Sequence, residues 1–107
     1  MIVVNAIIET TEENIKKWKD GIATIEQASR AESGCIDYTW SIELNNPLIL
    51  RATEKWKTIE DLALHFKTPH IFNFQEMVSE DPPKITAYFY EVKEVPPPGN
   101  DLSLLDN

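Results

Sequence analysis

Residues 2–9 alternate with a period of two, placing Ile2, Val4, Ala6 and Ile8 on one face and Val3, Asn5 and Ile7 on the other. Both faces are largely apolar, which predicts a central strand covered on both sides. The period then changes. Thr10 and Thr11 lead into Glu12 and Glu13, a capping hydroxyl followed by acidic first-turn residues. Ile15, Trp18, Ile22, Ile25 and Ser29 recur at helical spacing opposite Lys16, Lys17, Asp20 and Glu26, an amphipathic helix of about five turns. Gly34 is placed to end it in a left-handed cap.

A period of two returns at Ile36, Tyr38, Trp40, Ile42 and Leu44, alternating with Asp37, Thr39, Ser41 and Glu43. Asn45-Asn46-Pro47 marks a turn, and Leu48 to Trp56 reads as the returning strand of a hairpin. Thr58 caps a second helix with Glu60 and Asp61 in its first turn and Ile59, Leu62, Ala63 and Phe66 as its apolar stripe. Thr68-Pro69 interrupts that helix and restarts a short one over 69–78. Asp81-Pro82-Pro83 ends it, and Lys84 to Val95 reads as a last strand carrying Tyr88, Phe89 and Tyr90. The order β-α-β-β-α-β predicts an α+β, ferredoxin-like sandwich with two helices on one face of a four-stranded antiparallel sheet. Tyr38, Trp40, Tyr88 and Tyr90 are assigned to the other, bare face. An apolar face of that size marks an interaction surface, which two copies hide by pairing as a homodimer. Residues 1–95 form the expected domain, and 96–107 a Pro-rich acidic tail.

Composition narrows the function classes. A length of 107 residues allows one domain, and 42% hydrophobic with 26% charged residues describes a soluble globular chain. Ten Lys and Arg against 18 Asp and Glu leave a net charge of −8, which argues against nucleic acid and anionic membranes as partners. Cys35 is the single cysteine, so neither an internal disulfide nor a thiolate zinc site is available. The chain opens directly into a strand pattern without a basic, then apolar, leader, and a cytoplasmic location is expected.

Two stretches carry a resemblance. Arg30-Ala31-Glu32-Ser33-Gly34-Cys35-Ile36-Asp37-Tyr38 resembles the R-x-E-x-G-C-x-x-Y junction of the antibiotic biosynthesis monooxygenase (ABM) domain family. Glu54-Lys55-Trp56, followed by His65-Phe66-Lys67-Thr68-Pro69-His70, resembles that family's E-x-W strand end and its H-x-x-T-P-H helix. The likeness covers about residues 1–93. It implies small homodimers whose sheets pack into a dimeric α+β barrel. It also implies oxidation of quinols or other aromatics by O₂ without flavin, haem or metal. The haem-degrading branch of the family uses a strand-1 Asn, a helical Trp and a His ligand. Asn5 matches the first, whereas His65 and Gln75 stand at the other two positions, so the chain departs from that pattern.

Cofactor-free oxygenation needs a base that turns the substrate into an electron-rich anion, donors for that anion, and a dry apolar pocket. His65 and His70 are the two histidines, and imidazole titrates nearest neutral pH. Their spacing of five across the Thr-Pro break does not place them on one helical face, and no metal pair is read from them. His65 is the expected base, with Asn5 and Trp56 orienting substrate or dioxygen. His70, Phe66, Glu54 and Arg51 are the expected substrate contacts. Each has a plainer role: a hydrogen bond at the helix restart for His70, core packing for Trp56, and ion pairing for Glu54 and Arg51. Cys35 reads as a small buried hydrophobe. The expected function is a cofactor-independent monooxygenase for a small aromatic or quinol-like substrate; the alternative is a non-catalytic dimer that binds a small ligand or serves a stress response.

Overall fold

The four predicted strand segments become the strands of one antiparallel sheet. In the computed structural model, which describes residues 1–99, they are β1 (Ile2–Glu9), β2 (Cys35–Glu43), β3 (Asn46–Trp56) and β4 (Lys84–Glu91). Their spatial order is β2-β3-β1-β4. Between them run α1 (Glu12–Arg30), α2 (Ile59–His65) and α3 (Pro69–Val78). This is the ferredoxin-like α+β arrangement with its second helix divided in two. No helix among the described residues is long and apolar enough to cross a membrane.

Strand register sorts the side chains onto two faces. Val4 lies opposite Glu54 and Phe89, and Ala6 opposite Ala52 and Ala87. This face meets the helices: Ile2, Val4, Tyr38 and Trp56 pack with Ile25, Leu62 and Ile71 in one core cluster, while Ile8, Leu50 and Ala52 form another. Val3, Asn5 and Ile7, with Arg51, Thr53, Tyr88 and Tyr90, occupy the face turned away from the helices. The expectation for β2 is corrected here. Tyr38 and Trp40 pair with Glu54 and Ala52 and join the core face, leaving Tyr88 and Tyr90 on the open one, their rings stacked at 6.4 Å.

Other expectations shift for local reasons. Thr11 does cap α1, accepting from the Asn14 N–H. The helix ends without a left-handed residue, however: Ala31 is the C-cap in ordinary right-handed geometry (φ −80°). Gly34 answers a need for space, because a Cβ there would lie 2.2 Å from Asp61 Cγ. A bulge between Cys35 and Asp37 leaves Ile36 half-exposed and turns Cys35 to the core. On α2 the buried positions are Leu62 and His65, whereas Ile59, Ala63 and Phe66 are exposed. β4 stops at Glu91, short of Val95, and just past it the Val92 N–H donates to the Met1 carbonyl at 2.9 Å. Of the expected tail over 96–107, residues 100–107 lie outside the described residues.

Candidate active site

The break between α2 and α3 sets up the site. Thr68 stands at the N-cap position of α3 but makes no side-chain cap; its hydroxyl donates back to the His65 carbonyl at 2.7 Å. Pro69 at the first helical position lets α3 start in a new direction. In a continuous helix, residues five apart would point about 140° from each other. Here His65 and His70 converge, with ring centroids 5.8 Å apart. The spacing argument against their meeting therefore fails, because it assumed one unbroken helix.

What they converge on is Glu32, in the turn that follows α1. Its Oε2 lies 2.6 Å from His65 Nδ1 and 2.8 Å from His70 Nε2. The turn is pinned on both sides: the Cys35 N–H donates to the Glu32 carbonyl at 3.0 Å, and the Lys57 N–H to the Gly34 carbonyl at 2.9 Å. A carboxylate accepts only, so each imidazole presents an N–H to it. The three ligand atoms lie within 4.8 Å of one another, a cluster of metal-binding residue types. The short contacts are those of hydrogen bonds. Ligands around a tetrahedral zinc sit about 3.4 Å apart, given bonds near 2.1 Å, so Glu32 would have to withdraw from both rings to admit one.

On its other side His65 meets a hollow of about 200 Å³ between the sheet and the helices. Tyr38, Trp40, Phe66, Phe74 and Phe89 supply aromatic walls, and Glu54, His65 and Tyr38 its ionisable groups. Ile85, Ala87 and Phe89 of β4 line it while remaining exposed, so it opens along that strand. His65 itself is 1% exposed and lies in a ring of aromatic neighbours, with Trp56 at 4.5 Å and Tyr38 at 5.4 Å between centroids. Glu54 Oε1 accepts from the Trp56 indole N–H at 3.0 Å and stands 3.8 Å from His65 Nε2. The Trp40 indole donates to the Tyr38 hydroxyl at 3.2 Å.

Burial dominates the electrostatics. It pushes the Glu54 carboxyl up to about 6, against the Trp56 hydrogen bond and with the help of Glu32. It lowers the His65 pKa, and the Glu32 hydrogen bond and charge oppose that drop. The Tyr38 phenol is raised by burial, which keeps it protonated as a donor. Cys35 is raised to about 11, by burial first and then by Glu32, Asp37 and Glu54, so it is a thiol and no nucleophile. The arrangement thus offers a neutral imidazole and a carboxyl that titrates near neutrality beside an apolar hollow.

The expected site residues divide four ways. His65, Phe66 and Glu54 share the hollow. Trp56 is wholly buried and reaches the site through Glu54. His70 faces a separate cavity of about 190 Å³ between α1 and α3, beside Gly21, Thr24 and Met77. Asn5 and Arg51 are exposed on the opposite face of the sheet, where Arg51 lies 3.4 Å from Glu43 Oε1. The sheet stands between them and His65. Sequence reasoning misses Glu32 as the partner of both histidines and Phe74 as a cavity wall. For Glu32 a signal existed, since an anion just past a helix C-terminus opposes the macrodipole and needs another partner.

Comparison with known proteins places this geometry. The profile of the family described as antibiotic biosynthesis monooxygenase matches residues 1–77. The chain is similar in structure to a protein from Deinococcus radiodurans provisionally named an antibiotic biosynthesis monooxygenase, at TM-score 0.83 and 21% identity over 91% of this chain and 97% of that one. A similarly named protein from Nitrosomonas europaea gives 0.80 and 18% over 86% and 98%. A conserved protein from Methanosarcina mazei Go1 gives 0.79 and 29% over 86% and 92%. No curated protein matches the chain significantly.

Proposed function

The chain belongs to the antibiotic biosynthesis monooxygenase family, and from that premise we propose that it oxidises a small aromatic or quinol-like compound with O₂ and no cofactor. The observation that carries this reading is the hollow of about 200 Å³ with aromatic walls and one buried imidazole at its side. An apolar cavity of about 150 Å³ already admits benzene. His65 Nε2 takes the proton of a ring hydroxyl, and the resulting anion gives electrons to O₂. Glu54 and the Tyr38 hydroxyl hold the oxygen atoms of the ring, while Phe66 and Phe74 grip its faces. Trp56 acts by holding Glu54. With a quinol the electrons balance without an external reductant. Two leave as quinol becomes quinone, and two more as a ring C–H becomes C–OH. One oxygen atom of O₂ enters the ring and the other leaves as water.

Two copies pair through their open sheet faces into a dimeric α+β barrel, with Tyr88, Tyr90, Val3 and Ile7 in the contact. Asn5 and Arg51, on that same face, serve the pairing. The test is oxygen uptake with a panel of reduced naphthoquinols in metal-free buffer, with the hydroxylated quinone identified by mass. His65→Ala is expected to lower the rate at least about tenfold while the fold and dimer persist. An unchanged rate removes His65 as the base. Uptake no faster than autoxidation, together with saturable binding of the same compounds, assigns the protein to the ligand-holding reading instead.

A further inference from the structure

The family's fold brings His65 to a hollow, but it does not say which imidazole nitrogen faces that hollow or why. We propose that Glu32 and His70 are positioning residues for His65. The Glu32 carboxylate fixes the ring as the Nδ1–H tautomer, leaving the Nε2 lone pair free for the hollow, and His70 holds that carboxylate from the other side. The kinetic part of this proposal rests on the reading of His65 as the base.

Three observations carry it. First, contacts from two helices converge on one atom of a third segment: Glu32 Oε2 meets His65 Nδ1 at 2.6 Å and His70 Nε2 at 2.8 Å. An oxygen that only accepts dictates the proton position on both rings. Second, Nε2 has no such partner among the described residues, where the nearest carboxylate oxygen, Glu54 Oε1, is 3.8 Å away and already accepts from Trp56. The nitrogen without a hydrogen bond is the one nearer Glu54, which lines the hollow. Third, the chain departs from a regular helix at the point that makes this possible. The Thr68 hydroxyl and N–H both donate to the His65 carbonyl, at 2.7 and 3.2 Å, and the turn at Pro69 swings His70 onto Glu32. Had the helix run on, His70 would point well away from that carboxylate.

The chemistry follows from burial. A ring 1% exposed gains a proton only if a fixed countercharge receives the imidazolium. Glu32 lies at contact distance on the far nitrogen, so when Nε2 takes a substrate proton the new charge is balanced across the ring. The charged and titratable groups facing His65 are Glu32 from the turn after α1, Tyr38 from β2, Glu54 from β3 and His70 from α3. Loss of tautomer control in the Ser-His-Asp triad lowers kcat about 10⁴-fold, which sets the scale for a site where the same job falls to Glu32. His70 lies outside the hollow, against its own cavity between α1 and α3. It therefore serves by its bond to Glu32 and leaves substrate contact to others.

The experiment uses the full chain with ¹⁵N-labelled histidine. Long-range ¹H–¹⁵N correlation reads the tautomer and titration of each ring in the wild type, Glu32→Gln, Glu32→Asp and His70→Gln. The expected wild-type signal for His65 is a single Nδ1–H tautomer. Glu32→Gln, whose amide both donates and accepts, is expected to mix the tautomers and move the His65 titration midpoint down; Glu32→Asp restores part of both, and His70→Gln mixes the tautomers to a smaller extent. With any quinol that is turned over, Glu32→Gln lowers kcat about a hundredfold or more with KM little changed. An Nε2–H tautomer in the wild type overturns the proposal, and that reading needs no variant to fold. So does a folded Glu32→Gln chain with unaltered tautomer and midpoint. If no quinol is oxidised, the monooxygenase reading fails, while the spectra still decide whether Glu32 orients His65.

Discussion

Neighbouring residues of one strand meet opposite fates in this molecule. Val4 and Glu54 pair across β1 and β3 on the face that meets the helices; Asn5 and Thr53, one step along, pair on the face turned away. On the first face polar groups are few and held by specific partners: Glu54 takes the Trp56 N–H, and His65 is tied through Nδ1 to Glu32. On the second, Asn5 and Arg51 remain in water beside two stacked tyrosines. The same residue types therefore carry different information on the two sides. A carboxyl under the helices has its acidity moved by burial. Polar groups on the open face keep their hydration until another surface covers them. On the proposed function, chemistry belongs to the buried face and assembly to the open one.

The comparison breaks most easily at Trp56, which is 0% exposed and packs in the core while donating to Glu54. Trp56→Ala is expected to lower unfolding stability by about 3–5 kcal/mol, measured by urea denaturation. A loss below about 1 kcal/mol would mean that the helix face is not where the packing energy resides.

Much of this division was present in the sequence. Alternation located β1 and β2, the Asn45-Asn46-Pro47 turn and the Asp81-Pro82-Pro83 stop set off β3 and β4, and Thr68-Pro69 marked the restart of the helix at the residue where α3 begins. The side of each residue was legible too, from parity. Asn5 differs in parity from Val4, and Arg51 from Ala52, so neither belongs with the residues that face His65. Tyr38 and Trp40 alternate with Asp37, Thr39 and Ser41, which already marks theirs as the covered face. What periodicity does not carry is contact across sequence distance. Glu32 and His65 are 33 residues apart, and their meeting depends on how the turn after α1 sits against α2. The cavity walls are likewise hidden, because an aromatic at a core position reads the same whether its far side is packed or empty.

A second, smaller effect sharpens the electrostatic half of the contrast. A carboxyl whose pKa rises on folding holds its proton more tightly in the folded chain. Stability therefore falls as pH climbs from about 4.5, the ordinary value for Glu54, through about 6, its value in the fold. Glu54→Gln keeps an oxygen for the Trp56 N–H and removes the ionisation. Near pH 8 the variant should exceed the wild type by up to about 2 kcal/mol, and near pH 4 the two should nearly coincide. The lowered pKa of His65 works the other way, making stability rise with pH below about 6.5, but it is common to both chains and cancels in the difference. A gap that stays constant across a urea series from about pH 4 to 8 would separate the Glu54 environment from its burial.

The smallest expected effect tests the open face. Tyr88 is 49% exposed in the single chain and stacks on Tyr90, so its removal changes little that the chain does alone. Tyr88→Ala should shift unfolding stability by about 0.5 kcal/mol or less. If two open faces mate, however, that half-exposed ring is covered in the dimer, and aromatic anchors of this kind carry a large share of an interface's energy. Sedimentation over a dilution series is then expected to show a dimer Kd raised at least about tenfold. An unchanged Kd would place the contact between copies elsewhere, and Val3, Ile7 and the two tyrosines would need another reason for standing together on a face that none of the described helices covers.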